Sequence, residues 1–318
     1  MSRRGLAALA IALPGASLAQ SAPFPSRTVT LIVPFPPGGG TDVLGRLFAR
    51  HAGEQWGVSV VVENRAGASG RIGTELVRRA APDGHTIVLA STGALMAGAS
   101  IDHPFSVRDS LAPITLSAAP AYLMVAHPSV GVTDVAGLIA VGKARPGSLA
   151  FGSSGVGSAS HLSGELFGAM TGVELLHVPF SGTGGALNEL LAGRIQLMFA
   201  PPQTVMANVA SGGLRVLGIT SEQPSPLFAG VPAVAATVPG YAAVGWFGLL
   251  APRDTPPAVV NALHAAAARA YTLPDVVERL AQLGATPDPI SPDAFATYIN
   301  ADIAKWQRLV RERGIRME

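Results

Sequence analysis

Short apolar runs bounded by turn residues alternate along the chain with stretches whose apolar positions recur every three to four residues. That alternation predicts an α/β protein with mainly parallel sheets. The runs "TVTLIVPF", "VSVVVEN" and "HTIVLAS" are expected strands, separated by a helix from about Thr41 and another near Ile72 to Ala80. After the long extended stretch "LAPITLSAAPAYLMVAHP" the alternation resumes. "DVAGLIAVGKAR" reads as a helix, "LAFGSS" as a strand, "SASHLSGELFGAM" as a helix and "LLHVPF" as a strand, and the unit repeats through "GALNELLAG", "IQLMFAPP", "TVMANVASG" and "LRVLGITS". A second extended run, "AAVGWFGLLAP", precedes a helical tail made of "PPAVVNALHAAAARAYT", "PDVVERLAQLG" and "PDAFATYINADIAKWQRLVRERG". Pro256-Pro257 and Gly284 bound these helices in the usual way.

Two extended connections bracketing the middle of the chain imply two lobes, the second inserted into the first. The expected division is residues 20–121 with 246–318 for lobe 1 and residues 122–245 for lobe 2. Such a layout leaves a cleft lined by loops after the carboxyl ends of strands. Hinge motion is expected in the two connections, near Ala121 to Val125 and Gly245 to Leu249.

Composition changes the picture at the amino terminus. "MSRRGLAALAIALPGASLAQ" carries Arg3 and Arg4, an apolar run and the small-residue pattern Ser17-Leu18-Ala19, so residues 1–19 read as an export signal cleaved near Ala19. The mature protein is then expected in the periplasm. Without the signal, Lys+Arg falls from 22 to 20 against 20 Asp+Glu, and the net charge becomes zero. No basic stripe remains, which argues against nucleic acid and anionic membranes as partners. The chain has no Cys, so no disulfide can stabilise it outside the cytoplasm. A core must do so, and about 300 residues bury roughly 75% of the unfolded chain's surface.

The candidate chemistry lies in two glycine-rich turns. "VPFPPGGGTDVLGRLFAR" is not a Walker phosphate loop, which would need Lys followed by Ser or Thr where Thr41-Asp42 stand, and it lacks the spaced third glycine of a dinucleotide fingerprint. Its plain reading is a strand-to-helix turn capped by Thr41 or Asp42. Three consecutive glycines also let backbone N–H groups approach a ligand at a helix N-terminus, which makes an anion cradle without lysine. "FGSSGVGSASHLSGELF" has the same character, with hydroxyls on Ser153, Ser154 and Ser158 and open backbone at Gly155 and Gly157. It contains no G-x-S-x-G elbow. His161 and Glu165 stand four apart, without the H-E-x-x-H of a zinc protease.

The ordered set "PFPSRTVTLIVPFPPGGGTDVLGRLFA", "VVVENRAGASGRIGTELV", "APDGHTIVL", "GSSGVGSASHLSGELF", "HVPFSGTGGALNELLAGRIQLMF" and the late "WFGLLAP" resembles the periplasmic solute-binding proteins of tripartite tricarboxylate transporters, the Bug family. The resemblance runs from about Pro23 to Ile315. It implies a two-lobed Venus-flytrap binding protein of type II, with no enzymatic activity and no cofactor, which closes on a small carboxylate and delivers it to membrane permease subunits. It implies a first-lobe cradle of Phe35, Pro36, Gly39, Gly40, Thr41 and Asp42, with Ser91 and Thr92 after the third strand. It implies a second-lobe set of Ser153, Ser154, Gly155, Gly157, Ser158 and His161, joined by Phe180, Ser181 and Gly182. Many relatives carry Asp where this chain has Ala200, near the ligand's distal end, so an altered distal wall is expected there.

The function expected is therefore capture of a small, carboxylated organic molecule by a monomeric periplasmic receptor. The rivals are a ligand-presenting sensor for a receptor kinase and an exported hydrolase that uses a loop serine with His161.

Overall fold

A computed structural model describes residues 24–67, 70–92 and 110–315; the expected export signal lies outside them. In chain order the first elements are β1 (Val29–Val33), α1 (Gly40–Trp56), β2 (Val60–Asn64), α2 (Arg71–Arg78), β3 (Thr86–Ser91), β4 (Leu111–Ala118) and β5 (Leu123–Ala126). There follow α3 (Val135–Ala144), β6 (Leu149–Ser153), α4 (Ala159–Thr171), β7 (Leu175–Pro179), α5 (Thr183–Leu191), β8 (Leu197–Ala200), α6 (Pro202–Ala210) and β9 (Arg215–Ile219). The chain ends with β10 (Phe247–Pro252), α7 (Pro257–Ala270), α8 (Pro274–Gln282) and α9 (Pro292–Arg313).

The strands form two five-stranded sheets, ordered β2-β1-β3-β10-β4 and β7-β6-β8-β5-β9. The two orders are the same pattern. In each, one strand runs against the rest: β10 is antiparallel to β3 and β4, and β5 is antiparallel to β8 and β9. These reversed strands are the ones that follow a crossing between sheets. A chain that arrives from the cleft must run away from it, whereas strands returned by a helix run towards it. The long extended stretch of the sequence thus splits into β4 and β5 in different sheets. The crossings meet in an antiparallel bridge between Ala121 and Val244, and the Gly245 N–H donates to the Pro120 carbonyl at 3.1 Å.

Each sheet is buried on both faces. On the first, Leu44 and Phe48 of α1 pack with Leu263 of α7 and Leu280 of α8 on one side, and Val77 of α2 packs with Phe295 and Ile299 of α9 on the other. On the second, α3 and α4 cover one face through Leu138, Leu162 and Phe167, and α5 and α6 cover the other through Leu190 and Val205. Helices α1 and α4 approach the strands before them closely enough to need glycine. A Cβ at Gly45 would meet Val33 at 3.0 Å, and one at Gly164 would meet the Phe151 ring at 2.3 Å.

Helix α9 departs from the expected division, which placed the whole tail with lobe 1. Its early residues Phe295 and Ile299 sit in the first sheet's core, while Trp306, Leu309 and Val310 sit in the second sheet's core beside Phe167 and Tyr241. Its 22 residues reach about 33 Å at 1.5 Å per residue, enough to serve both sheets. Arg313, in its last turn, donates to Glu165 of α4 at 3.0 Å. Trp306 is 1% exposed, so Trp306→Ala should cost about 3–5 kcal/mol. Chemical denaturation should show that loss first in probes on the second sheet; a wild-type midpoint would mean that α9 does not brace that lobe.

Candidate functional site

The parallel strands of both sheets end at one cleft of about 880 Å³. The first lobe contributes Pro34, Phe35, Pro36 and Thr41 after β1, Ala66, Gly67 and Gly70 after β2, and Ser91 and Thr92 at the end of β3. The second contributes residues 154–159 after β6, and Ser181 and Gly182 after β7. Pro120, Tyr122, Gly245, Trp246 and Phe247 of the crossings form the base. Among the described residues that line the cleft there is no Asp, Glu, Lys, Arg or His.

What the lining offers instead is helix N-termini. Helices α1, α2 and α5 begin at Gly39, Gly70 and Gly182 without a side-chain cap, so their first N–H groups have no side-chain acceptor. Gly70 and Gly182 hold φ of 97° and 107°, values an L side chain rarely adopts. Helix α4 is the exception. Ser158 caps it, accepting from the His161 N–H at 3.3 Å while its hydroxyl donates to the Gly155 carbonyl at 2.6 Å. The four N-termini together place partial positive charge around the cleft. Tyr122 adds a hydroxyl that burial pushes up to about 12, which keeps it protonated and able to donate. The second-lobe hydroxyls are held by their neighbours: Ser160 Oγ accepts from the Ser154 N–H at 3.0 Å and lies 3.0 Å from Ser158 Oγ.

Of the residues expected from the sequence, the structure brings Phe35, Pro36, Thr41, Ser91, Thr92, Ser154, Gly155, Gly157, Ser158, Ser181 and Gly182 together on this surface. The others are not among its lining residues. A Cβ on Gly40 would face the Phe247 ring and Leu283, and one on Gly39 would lie 3.9 Å from the Pro36 carbonyl oxygen. Asp42 is 4% exposed and turned inward. Its carboxylate accepts from the Gly38 N–H at 3.0 Å, from Asn64 at 2.9 Å and from Arg46 Nε and Nη2 at 3.0 and 2.9 Å. Burial pushes that carboxyl up, but the bonds from Arg46, Gly38 and Asn64 outweigh it and hold it below the usual range. Asn64 also donates to the Phe35 carbonyl at 3.1 Å, so the group clamps the first-lobe turn.

Ser153 is fully buried, 2.6 Å from His177 Nε2, and His161 is 3% exposed with its Nδ1 accepting from the Gly157 N–H at 3.0 Å. Neither presents a nucleophile or a base to the cleft, and Ser158 spends its proton on Gly155. Phe180 packs against the second sheet's core. Ala200 is fully buried at the end of β8, opposite Leu123 of β5, in the same core. The register points its methyl into the sheet face rather than to the expected distal wall. Sequence reasoning missed the loop around Gly67 and Gly70, although "NRAGASGR" is a third glycine-rich turn, and it treated the crossings only as connections. Among the described residues no group of three or more His, Asp or Glu is arranged to hold a metal ion, and no helix is long and apolar enough to cross a membrane.

Comparison with known proteins agrees with this architecture. Residues 44–315 match the TctC family, described as the tripartite tricarboxylate transporter family receptor. The chain is 37% identical over 299 residues to the BugT protein of Bordetella pertussis, covering 93% of this chain and 92% of BugT. The structure of R. palustris Rpa4515 with adipate superposes with a TM-score of 0.79 at 34% identity, covering 92% of this chain and 99% of that one. MatC from Rhodopseudomonas palustris with bound malate gives 0.76 at 31% identity, covering 90% of this chain and all of that one. Two equivalent sheets, a shared cleft and a match over most of the chain lead to one conclusion: this protein belongs to the tripartite tricarboxylate transporter receptor family, with the Bug proteins.

Proposed function

We propose that this protein is exported to the periplasm, where as a monomer it closes on a small carboxylate-bearing organic anion and hands it to the membrane permease subunits of a tripartite tricarboxylate transporter. The observation that carries this reading is the cleft's chemistry: four helix N-termini and several hydroxyls converge on a space whose described lining residues carry no charged side chain. An anion near one such terminus gains about 0.3–1 kcal/mol, and up to about 2 kcal/mol where partly buried. Several of them, with hydrogen bonds from N–H and hydroxyl groups, can hold a carboxylate with no arginine. The adipate and malate bound by the two related structures are consistent with that chemistry.

The same lining disfavours a ligand ammonium, because among the described residues no carboxylate lines the cleft and Asp42 is spent on its own loop. Pro34, Phe35, Val156, Trp246 and Phe247 supply apolar walls, so an organic acid with an aliphatic or aromatic body suits the site. The hydrolase reading lacks a base at the cleft, because His161 is 3% exposed and its Nδ1 accepts from the Gly157 N–H.

Calorimetric titration with adipate, malate, benzoate, aspartate and glutamate tests the reading: the plain acids should bind more tightly than the amino acids. Preference for aspartate or glutamate, or for an uncharged amide analogue, would overturn it. Gly155 holds φ at 129°, so Gly155→Ala should strain the second-lobe loop by about 1–3 kcal/mol and weaken acid binding by roughly tenfold or more with the circular dichroism unchanged; wild-type affinity would remove that loop from the site. Small-angle scattering should give a smaller radius of gyration with a bound acid than without one, and identical curves would refute closure.

A further inference from the structure

The two anion loops are supported from behind in the same way but with different chemistry. In the first lobe, the third residue of α1, Asp42, accepts from the N–H of Gly38 four residues earlier, and Arg46 four residues later completes the clamp. In the second, the third residue of α4, His161, accepts from the N–H of Gly157 four residues earlier, and Glu165 four residues later lies 3.7 Å from His161 Nε2. Gly38 and Gly157 both hold positive φ, at 86° and 74°. A carboxylate thus stands where the other lobe has an imidazole.

The difference matters because a carboxylate keeps its acceptor when mildly acidified and an imidazole loses it. Gly157 occupies Nδ1 as a donor, so neutral His161 carries its hydrogen on Nε2, towards Glu165. A second proton can go only to Nδ1, where it would face the Gly157 N–H, donor against donor. The ring also stacks on His177 with centroids 3.8 Å apart and 16° between planes. His177 Nε2 lies 2.6 Å from Ser153 Oγ, which accepts from the Gly155 N–H at 3.1 Å. Two rings so placed cannot both be charged cheaply.

We propose that the stacked His161–His177 pair is a proton-sensitive positioning element for the second-lobe anion loop: when the pair takes up a proton, residues 155–158 lose their support and the cleft loses affinity for its ligand. Both residues are positioning groups, since neither lines the cleft. Among the described residues, the charged groups that face the pair are Glu165 on α4 and Arg313 on α9, which donates to Glu165 at 3.0 Å. Strand β6 contributes only Phe151, tilted against His177, and Ser153. Burial and the neighbouring His161 push His177 down to about 4, with Glu165 opposing. A histidine depressed in the fold stabilises it above the ordinary value of 6.5, and that contribution is lost as pH falls from there through about 4. Burial pushes Glu165 up, but His161 and Arg313 outweigh it and keep it ionised. The first lobe's carboxylate clamp is held below the usual range, so it keeps its acceptor to lower pH than an ordinary carboxyl.

The proposal is a regulation of the carboxylate site and rests on that reading for its consequence, but it can be tested without any ligand. The amide resonances of residues 155–158 in the unliganded protein should move as pH falls from 7.5 towards 4, in step with the imidazole resonances of the pair, while Gly38 stays still. His161→Asn, which offers an oxygen acceptor near the place of Nδ1 and does not titrate, should abolish the movement. Because burial and the neighbouring His161 together push His177 down, His161→Asn should also shift the His177 midpoint upward. Loop amides that ignore the imidazole titration, movement that survives His161→Asn, or an unmoved His177 midpoint in His161→Asn would each overturn the proposal. With adipate as probe, the ratio of wild-type to His161→Asn affinity cancels the acid's own protonation, and it should fall about tenfold per pH unit below the midpoint if protonation and binding exclude each other. A ratio constant with pH while the loop amides still move would overturn the loss of affinity and leave only the loop response. Binding of no carboxylate by either protein would instead count against the carboxylate reading.

Discussion

The structure depends on the two places where the chain crosses between sheets beside the cleft. Because each crossing delivers a strand that runs away from the cleft, β5 and β10 are reversed, and the other strands of both sheets run towards it. The turns after β1, β2, β6 and β7 then open on the same space. The helices that follow β1, β2, β6 and β7 point their N-termini into it. The partial positive charge at the cleft is a product of strand direction.

Backbone N–H groups can hold a ligand only if the turn carrying them keeps its shape. Both principal turns are rich in glycine and gain that shape from polar groups behind them, Asp42 with Arg46 and Asn64 in one lobe and His161 with Ser153, Ser158 and His177 in the other. The polar side chains with the most distinctive bonding are therefore turned away from the cleft. A buried carboxylate or imidazole without its full set of partners would be costly, and the close-packed groups behind the turns satisfy that condition.

Helix α9 links this site to the rest of the molecule. Between its two packed ends it holds the second crossing: Asp302 accepts from the Trp246 indole N–H at 2.9 Å, and Lys305 donates to the Ala242 carbonyl at 2.6 Å. Burial pushes the Asp302 carboxyl up and the Lys305 amine down, so both polar ends sit in a poorly solvated seam. Trp246 itself lines the cleft. Rotation of one lobe against the other must move α9 as well as the crossings, and the seam couples that rotation to a cleft residue.

The sequence by itself determined the elements and the class of the fold. Apolar periodicity marked the strands and helices, the two extended runs marked the crossings, and the turns "PPGGGTD" and "GSSGVGS" marked where a helix N-terminus meets open backbone. These are local properties, decided by neighbours within a turn or a strand. Tertiary structure decided which way particular side chains face. Asp42 and His161 stand in first turns beside the cleft and could point forward or back; packing against Asn64 and His177 turns them back. Ala200 lies at a strand end whose inner face is set by pairing with Leu123, far away in the chain. Gly70, Tyr122 and Trp246 become walls only because other loops close around the same space. The tail helix belongs to both lobes because its apolar face outruns one core. Each of these depends on contacts between distant segments, which no local pattern encodes.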